Sequence, residues 1–167
     1  EDKGGKKTFK TKQKSDFEAY DALKQKHGAT DDDFIKQLAN DVAGQVKDNV
    51  KENYKKSFNG HVISPETLVN WLKLLCGDGA HTKMISNAME SYINNGKSNA
   101  KNQQYNNLRN QLAANVASSG KAIYYANNIG DKLKPGELNK SMADLDKMAS
   151  NKGWASVDDI KNNNNNN

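Results

Sequence analysis

The stretch TDDDFIKQLANDVAGQVKDNVKENYKKSF, residues 30–58, decides the fold class. Large apolar side chains recur at every fourth position along it, whereas a strand with one buried face would need a spacing of two. The aspartates after Thr30 suit the positive end of a helix dipole, and Asn59 and Gly60 are typical of a helix end. The pattern therefore predicts one long helix over about residues 31–58. The recurring positions are Phe34, Leu38, Val42, Val46, Val50, Tyr54 and Phe58.

The spacing of four also predicts how this helix packs. Four residues turn a helix by about 400°, so each apolar side chain lies about 40° further round than the previous one. A straight coiled-coil partner would instead require an average spacing of about 3.5 residues. We therefore expect the two halves of the helix to meet different neighbours, and Gly44 to mark the close approach of another element.

The rest of the chain predicts further helices separated by short joints. Ser64, Pro65 and Glu66 form a typical helix start, because serine caps well and proline suits the first turn. The segment 65–76 is apolar nearly all round and is predicted to be the most buried helix. Because no strand pattern is found, we predict an all-α fold, an irregular bundle of about six or seven helices around the long one. The other predicted helices span residues 15–27, 81–93, 99–118 and 137–151, with a last turn near 156–160.

We expect three parts along the chain: a flexible basic arm over residues 1–14, a single helical domain over 15–160 and a low-complexity tail over 161–167. The arm contains six lysines and one large apolar residue, so it cannot bury itself. The tail ends in six asparagines and is predicted to be disordered. The chain begins with Glu1 rather than methionine, and a leader removed before it would imply secretion.

Composition indicates a lysine-rich protein without sequence-specific recognition of duplexes. The chain has 25 Lys and Arg against 20 Asp and Glu, for a net charge of +5, and Arg109 is its only arginine. Arginine is the usual residue for reading base edges, so a protein with one arginine is not expected to read a groove. Lysines still attract phosphates without sequence preference. No apolar run approaches the roughly 18 residues that a membrane span needs.

No pattern indicates a catalytic, cofactor or metal site. His27, His61 and His81 lie far apart in the sequence, and none has a His or Cys partner at helical spacing. The segments 60–68 and 131–142 share features with calcium loops but lack the acidic ligands that calcium needs. No nucleophile elbow, phosphate-binding loop or dinucleotide fingerprint is present. We therefore expect no enzyme, no cofactor and no metal.

Two further features have a structural explanation beside a functional one. The three aspartates of residues 31–33 could hold a divalent cation, although acids are also expected at the start of a helix. Cys76 lies in an apolar run, which is typical of a small buried hydrophobe. As the single cysteine it can form no intrachain disulfide.

Nucleic acid is the partner that the charge pattern favours. Tyrosines interleaved with cations can stack on unpaired bases, although tyrosines at helical spacing are also typical of a core. The basic arm would add phosphate contacts, which need charge but no fold. We predict nucleic-acid-binding residues at Lys6, Lys7, Lys10, Lys12, Lys14, Lys101, Tyr105, Arg109 and Lys121.

Three function classes remain open from the sequence. The first is a structural protein, coat-like or nucleoprotein-like, that self-associates, binds single-stranded nucleic acid and resides in a virion or the cytoplasm. The second is a secreted or host-directed effector or surface protein that acts through protein–protein contacts. The third is a small enzyme with a site assembled from distant residues. The basic arm, the lysine excess and the lack of catalytic motifs favour the first class.

Overall fold

The computed structural model describes residues 17–129, and within them the chain forms seven α-helices, one short 3-10 helix and no strand. The all-α prediction is confirmed for this part of the chain. The basic arm, the predicted helix 137–151, the last turn and the asparagine tail lie outside these residues. The helices are α1 (Glu18–His27), α2 (Asp33–Gln45), α3 (Asp48–Ser57), α4 (Pro65–Leu75), α5 (Gly79–Asn94), α6 (Gln103–Asn115) and α7 (Gly120–Ile129), with the 3-10 turn Val116–Ser118 after α6.

Helix α4 is the central element of the described bundle, whereas the sequence predicted a long helix over residues 31–58 at the centre. Most of α4 is buried, as its apolar sequence indicated. It packs against α2 and α7 along its length and against α1 at one side. It begins at the predicted cap, where the Ser64 backbone N–H donates to Thr67 Oγ1 at 2.9 Å in a capping box. Leu68 and Leu72 are completely buried, and full burial of such a side chain contributes about 1.5–3 kcal/mol.

The remaining helices build a bundle around this centre. Helix α5 packs against α6, α6 packs against α2, and α1 contacts both α4 and α5. Buried apolar side chains at helical spacing form the core between these helices, and polar contacts such as His27 with Ser86 and Gln45 with Asn110 add to it. The largest fully buried side chains are Tyr105, Tyr125, Ile35, Leu38, Leu68, Leu72, Ile85, Met89, Leu108, Leu112 and Ile123.

The predicted single helix over residues 31–58 is wrong, because the chain leaves helical geometry at Val46 and Lys47. Their ψ angles are 134° and 149°, which separates α2 from α3. In a straight helix Tyr54 would lie about 200° round the axis from Phe34 and would face away from the core that Phe34 occupies. The break changes the direction of the chain before α3. Val46 at the break, Tyr54 in α3 and Phe58 after it are all buried. Burial of these side chains offsets the helical hydrogen bonds lost at the break.

The break also decides which neighbours the two segments meet. Helix α2 packs against α4 and α6, whereas the aromatic side chains of α3 pack against α7. The close approach predicted at Gly44 is wrong, because nothing lies within 4 Å of the position its Cβ would take. The close approach occurs at Gly120 in α7, where a Cβ would lie 3.5 Å from the Phe58 ring.

Three helix starts differ from the sequence prediction, and side-chain caps account for two of them. Helix α5 begins at Gly79 rather than His81, since the Asp78 carboxylate accepts from the Ala80 N–H at 3.2 Å. Helix α6 begins at Gln103 rather than residue 99, since Asn102 caps it in the same way. Helix α1 begins at Glu18, and the predicted cap Ser15 lies outside the described residues.

Candidate nucleic-acid interface

The tyrosines of the predicted stacking surface lie in the core. Tyr105, Tyr124 and Tyr125 expose 1%, 5% and 1% of their surface. The Tyr105 ring packs edge-on against Phe34 at 6.1 Å between centroids, and its hydroxyl donates to the Asp41 carboxylate. Burial and the bond to Asp41 raise the pKa of Tyr105 above its usual value. A ring held in this way offers no face to a base, so Tyr105 is removed from the candidate surface.

The predicted cations of α6 and α7 are placed separately. Lys101 is exposed in the loop before α6. Arg109 is half-buried, and its guanidinium donates to Asn110 Oδ1 at 3.2 Å. Lys121 is half-buried in the first turn of α7, where it lines a cavity against α3. The five predicted lysines of the arm, Lys6, Lys7, Lys10, Lys12 and Lys14, lie outside the described residues.

The aspartates at the start of α2 bind lysines of this chain. Asp32 accepts from the Lys24 ammonium at 2.9 Å and lies 3.6 Å from the Lys73 ammonium. Asp31 lies 3.5 Å from the Lys97 ammonium. No group of His, Cys, Asp or Glu suited to holding a metal ion is found in residues 17–129. The acidic segment thus pairs with three lysines of this chain. Their positive charges are offset and contribute less to attracting phosphates.

A row of lysines on α3 lies exposed to solvent. Lys47 and Lys55 are exposed and Lys51 is half-exposed, and they follow one another at a spacing of four. Lys51 and Lys55 are one helical turn apart, about 6 Å along the axis and about 40° round it, and Lys47 directly precedes the helix as its N-cap residue. None of the three forms an ion pair with another described residue. We call Lys47, Lys51 and Lys55 the α3 lysine row.

The sequence prediction overlooked the α3 lysine row although its signal was present. The lysines recur in VKDNVKENYK with the same spacing of four as the apolar residues beside them. A helix with an apolar stripe must carry a polar stripe, and the residues of that stripe share one direction. Beyond the basic arm, the prediction instead selected cations near tyrosines, and burial of those tyrosines removes the reason for that part of the choice.

The reactive side chains are distributed over separate parts of the fold. Cys76 is buried, and burial raises the pKa of its thiol to about 12. His27 lies 2.8 Å from the Ser86 hydroxyl, and His61 packs edge-on against Tyr124. His81 is hydrogen-bonded to Asp78 at 2.8 Å beside a cavity. The pair of His81 and Asp78 was not predicted from the sequence.

Comparisons with protein-family models, with curated proteins and with solved structures found no match to this chain. Within residues 17–129 no helix combines the length and the apolar character needed to cross a membrane. Function is therefore inferred from the charges and cavities of the chain itself.

Proposed function

We propose that this chain is a structural assembly protein, of the coat or nucleoprotein kind, that binds nucleic acid without sequence preference through lysines. The observation that supports this proposal best is the exposed α3 lysine row. The binding needs no catalytic group and no folded pocket, because the condensed counterions released from phosphates supply the free energy. The basic arm over residues 1–14 would extend the same kind of contact.

The α3 lysine row can follow a phosphate backbone because its charges are regularly spaced on one helix. Asp48 and Glu52 lie on the adjoining strip of the helix, so residues 47–57 carry four lysines and two acids, a net of +2. This local charge is modest, and we expect weak, salt-sensitive binding rather than tight recognition.

Burial of the tyrosines favours phosphate contacts over base stacking in the proposed interface. Base stacking contributes about 1–3 kcal/mol per base where an aromatic ring is exposed. Since the rings of Tyr105, Tyr124 and Tyr125 are buried, that contribution is absent from this surface. We therefore expect phosphate contacts to dominate, and single-stranded and double-stranded oligonucleotides to bind with affinities of the same order.

The alternative function, action through a protein partner, has weaker support from the surface. Protein-binding surfaces usually present contiguous apolar area. Among the described residues Val62 is the only large apolar side chain found exposed, at 46%. A single exposed valine is normal for a monomer surface.

The α3 lysine row is tested by replacing Lys47, Lys51 and Lys55 together with glutamine. Affinity for a fluorescent 30-nucleotide poly-dT strand is measured by anisotropy from about 20 to 200 mM salt. Loss of three phosphate contacts should reduce the slope of log affinity against log salt by about 2, since each contact on a single strand contributes about 0.7. Affinity at low salt should fall by an order of magnitude or more.

The matched control replaces Lys26, Lys36 and Lys83, three exposed lysines on α1, α2 and α5. This variant loses the same net charge from three separate helices and should retain most of the slope. A deletion of residues 1–14 measures the contribution of the arm independently. An equal loss of affinity in the variant of the α3 lysine row and in its control would refute a defined interface. No binding of the strand by the intact chain at about 20 mM salt would refute nucleic-acid binding as the function.

A further inference from the structure

A second cavity lies where the start of α5 meets the junction of α6 and α7. Its volume is about 240 Å³. Its lining combines the apolar side chains of Trp71, Leu75 and Ala122 with polar side chains. The polar lining consists of Asp78, His81, Asn115, Ser118 and Ser119.

An imidazole held by a carboxylate lines this cavity. The Asp78 Oδ2 atom lies 2.8 Å from His81 Nδ1, and the two side chains are only 20% and 17% exposed. The other carboxylate oxygen of Asp78 accepts from the Ala80 N–H at 3.2 Å, which fixes the carboxylate at the helix start. With Asp78 ionised, Nδ1 carries the proton of the neutral ring, and Nε2 keeps a lone pair that can accept a proton.

Two hydroxyl groups share the cavity with this imidazole, and they differ in their bonding. The Ser118 hydroxyl donates to the Asn115 carbonyl at 3.1 Å. The Ser119 hydroxyl is half-buried and forms no hydrogen bond to another described residue. Ser119 also directly precedes α7, and the first N–H groups of a helix have no intrahelical acceptor. Those N–H groups are suited to stabilising an oxyanion that forms next to Ser119.

We propose that Asp78, His81 and Ser119 form a hydrolytic site for small carboxylic esters. His81 Nε2 takes the proton of the Ser119 hydroxyl as its oxygen bonds to the ester carbonyl carbon. The bond to the leaving alkoxide then breaks, and that oxygen receives the proton from His81. Water, activated by the same imidazole, releases the acid and restores Ser119. This assignment reproduces the roles of nucleophile, base and orienting acid that define such sites independently of fold.

The two oxygens of Asp78 have different partners. One caps α5, and the other contacts His81, which lies three residues later on the same helix. His81 and Ser119 are not hydrogen-bonded in this conformation, and catalytic contacts of this kind often tighten only when substrate binds. The activity is separate from the proposed nucleic-acid binding, because none of the three residues belongs to the α3 lysine row.

The test uses the full chain and two probes, 4-nitrophenyl acetate and an alkyl fluorophosphonate. The ester should be hydrolysed with turnover, and the fluorophosphonate should label one residue, identified as Ser119 by peptide mass mapping. Ser119→Ala should abolish labelling, and His81→Gln should lower the labelling rate and kcat/KM by about 100-fold or more, the usual contribution of a general base. Mapping distinguishes the serine from lysines that react with the ester directly.

Two variants serve as controls. Ser91→Ala removes a half-buried hydroxyl of α5 that does not line this cavity, and His27→Gln removes the imidazole that contacts Ser86 outside it. Both should retain labelling and turnover within about three-fold, an effect far below the loss of a general base. The proposal is overturned if the intact chain is not labelled, if the label is found elsewhere, or if Ser119→Ala retains full turnover. Far-UV circular dichroism confirms that each variant is folded.

Discussion

At the scale of single residues, Asp32 shows how one half-buried carboxylate holds three helices together. It accepts a hydrogen bond from the Tyr20 hydroxyl at 2.6 Å and from Lys24 at 2.9 Å, both on α1. The Lys73 ammonium of α4 lies 3.6 Å away and also sits over the Tyr20 ring. Partial burial opposes ionisation of Asp32, but the bonds from Lys24 and Tyr20 and the charge of Lys73 outweigh it and lower its pKa to about 2.

Replacement of Asp32 by asparagine should make the protein less stable at neutral pH by about 1–3 kcal/mol, the usual cost of a lost hydrogen bond to a charged group. The folded-state pKa lies below the usual value of 3.8, so Asp32 stabilises the fold above about pH 4. That contribution should decline as pH falls from about 4 towards 2. Urea unfolding of both proteins at pH 7, 4, 3 and 2 measures the difference.

The control for this prediction is Asp33→Asn, which changes an exposed carboxylate one residue along the same helix start. Asp33→Asn should lower the free energy of unfolding by at most about 0.5 kcal/mol, as is usual for surface positions. A difference between Asp32→Asn and the unaltered protein that stays constant down to pH 2 would contradict the assignment of Asp32.

At the scale of secondary structure elements, the joint between α2 and α3 is the feature that determines the surface. The Lys47 carbonyl accepts from the N–H groups of Val50 and Lys51, both at 3.1 Å, and so starts α3. Val46 still donates its N–H to the Val42 carbonyl and ends α2. These bonds end α2 and start α3 without a glycine or a proline, and the Lys47 N–H forms no backbone hydrogen bond with another described residue.

The joint predicts an unusual tolerance for proline at position 47. Lys47 has φ of −68°, close to the value that proline imposes, and the extended ψ of Val46 suits a residue before proline. Lys47→Pro should leave the free energy of unfolding unchanged or raise it by up to about 1 kcal/mol. In a continuous helix the same substitution would cost about 3 kcal/mol or more. Thermal and urea unfolding measure the effect.

Glu52→Pro is the matched control, because residue 52 is exposed in the middle of α3. This substitution should lower the free energy of unfolding by about 3 kcal/mol, or unfold α3 locally. If both prolines are equally damaging, the joint at residues 46–47 is not formed and α2 and α3 are one helix.

At the scale of the whole molecule, α3 is attached to the bundle differently from α4. The Phe58 ring after α3 stacks on Tyr124 of α7, with centroids 5.1 Å apart and an interplanar angle of 14°, and it also contacts Tyr54. Helix α4 is instead enclosed by α1, α2 and α7. We therefore expect α3 to unfold locally at a lower free energy than α4, since elements with few buried contacts open before the core does.

Alanine substitutions at Phe58 and Leu72 should separate local from global stability. Phe58→Ala removes the stacked ring and should speed hydrogen exchange most in α3, with little change in α2 and α4. Leu72→Ala leaves a cavity in the centre and should lower the free energy of unfolding by about 2–5 kcal/mol, with faster exchange in all helices. Hydrogen–deuterium exchange read by mass spectrometry measures both. Equal changes across the helices in both variants would show that α3 and α4 open as one unit.

The sequence by itself determined the helical class, the start of α4 and its burial. These features are local, because a cap such as Ser64 or an apolar run such as residues 65–75 contains its own signal. The candidate surface was less predictable. A tyrosine at helical spacing is compatible with either a surface or a core, and Tyr105 is buried because Phe34 and Asp41, distant in the chain, enclose it.

Only the tertiary structure decided where the long apolar pattern breaks and which polar groups meet. The spacing of four continues through Val46 without interruption, and the chain breaks there because a straight helix would turn Tyr54 and Phe58 away from α7. The cavity that joins Asp78 and His81 to Ser119 is likewise built from helices that are remote in sequence. Periodicity specifies which face of each helix is apolar, but the neighbour that covers that face is selected by packing of the whole chain.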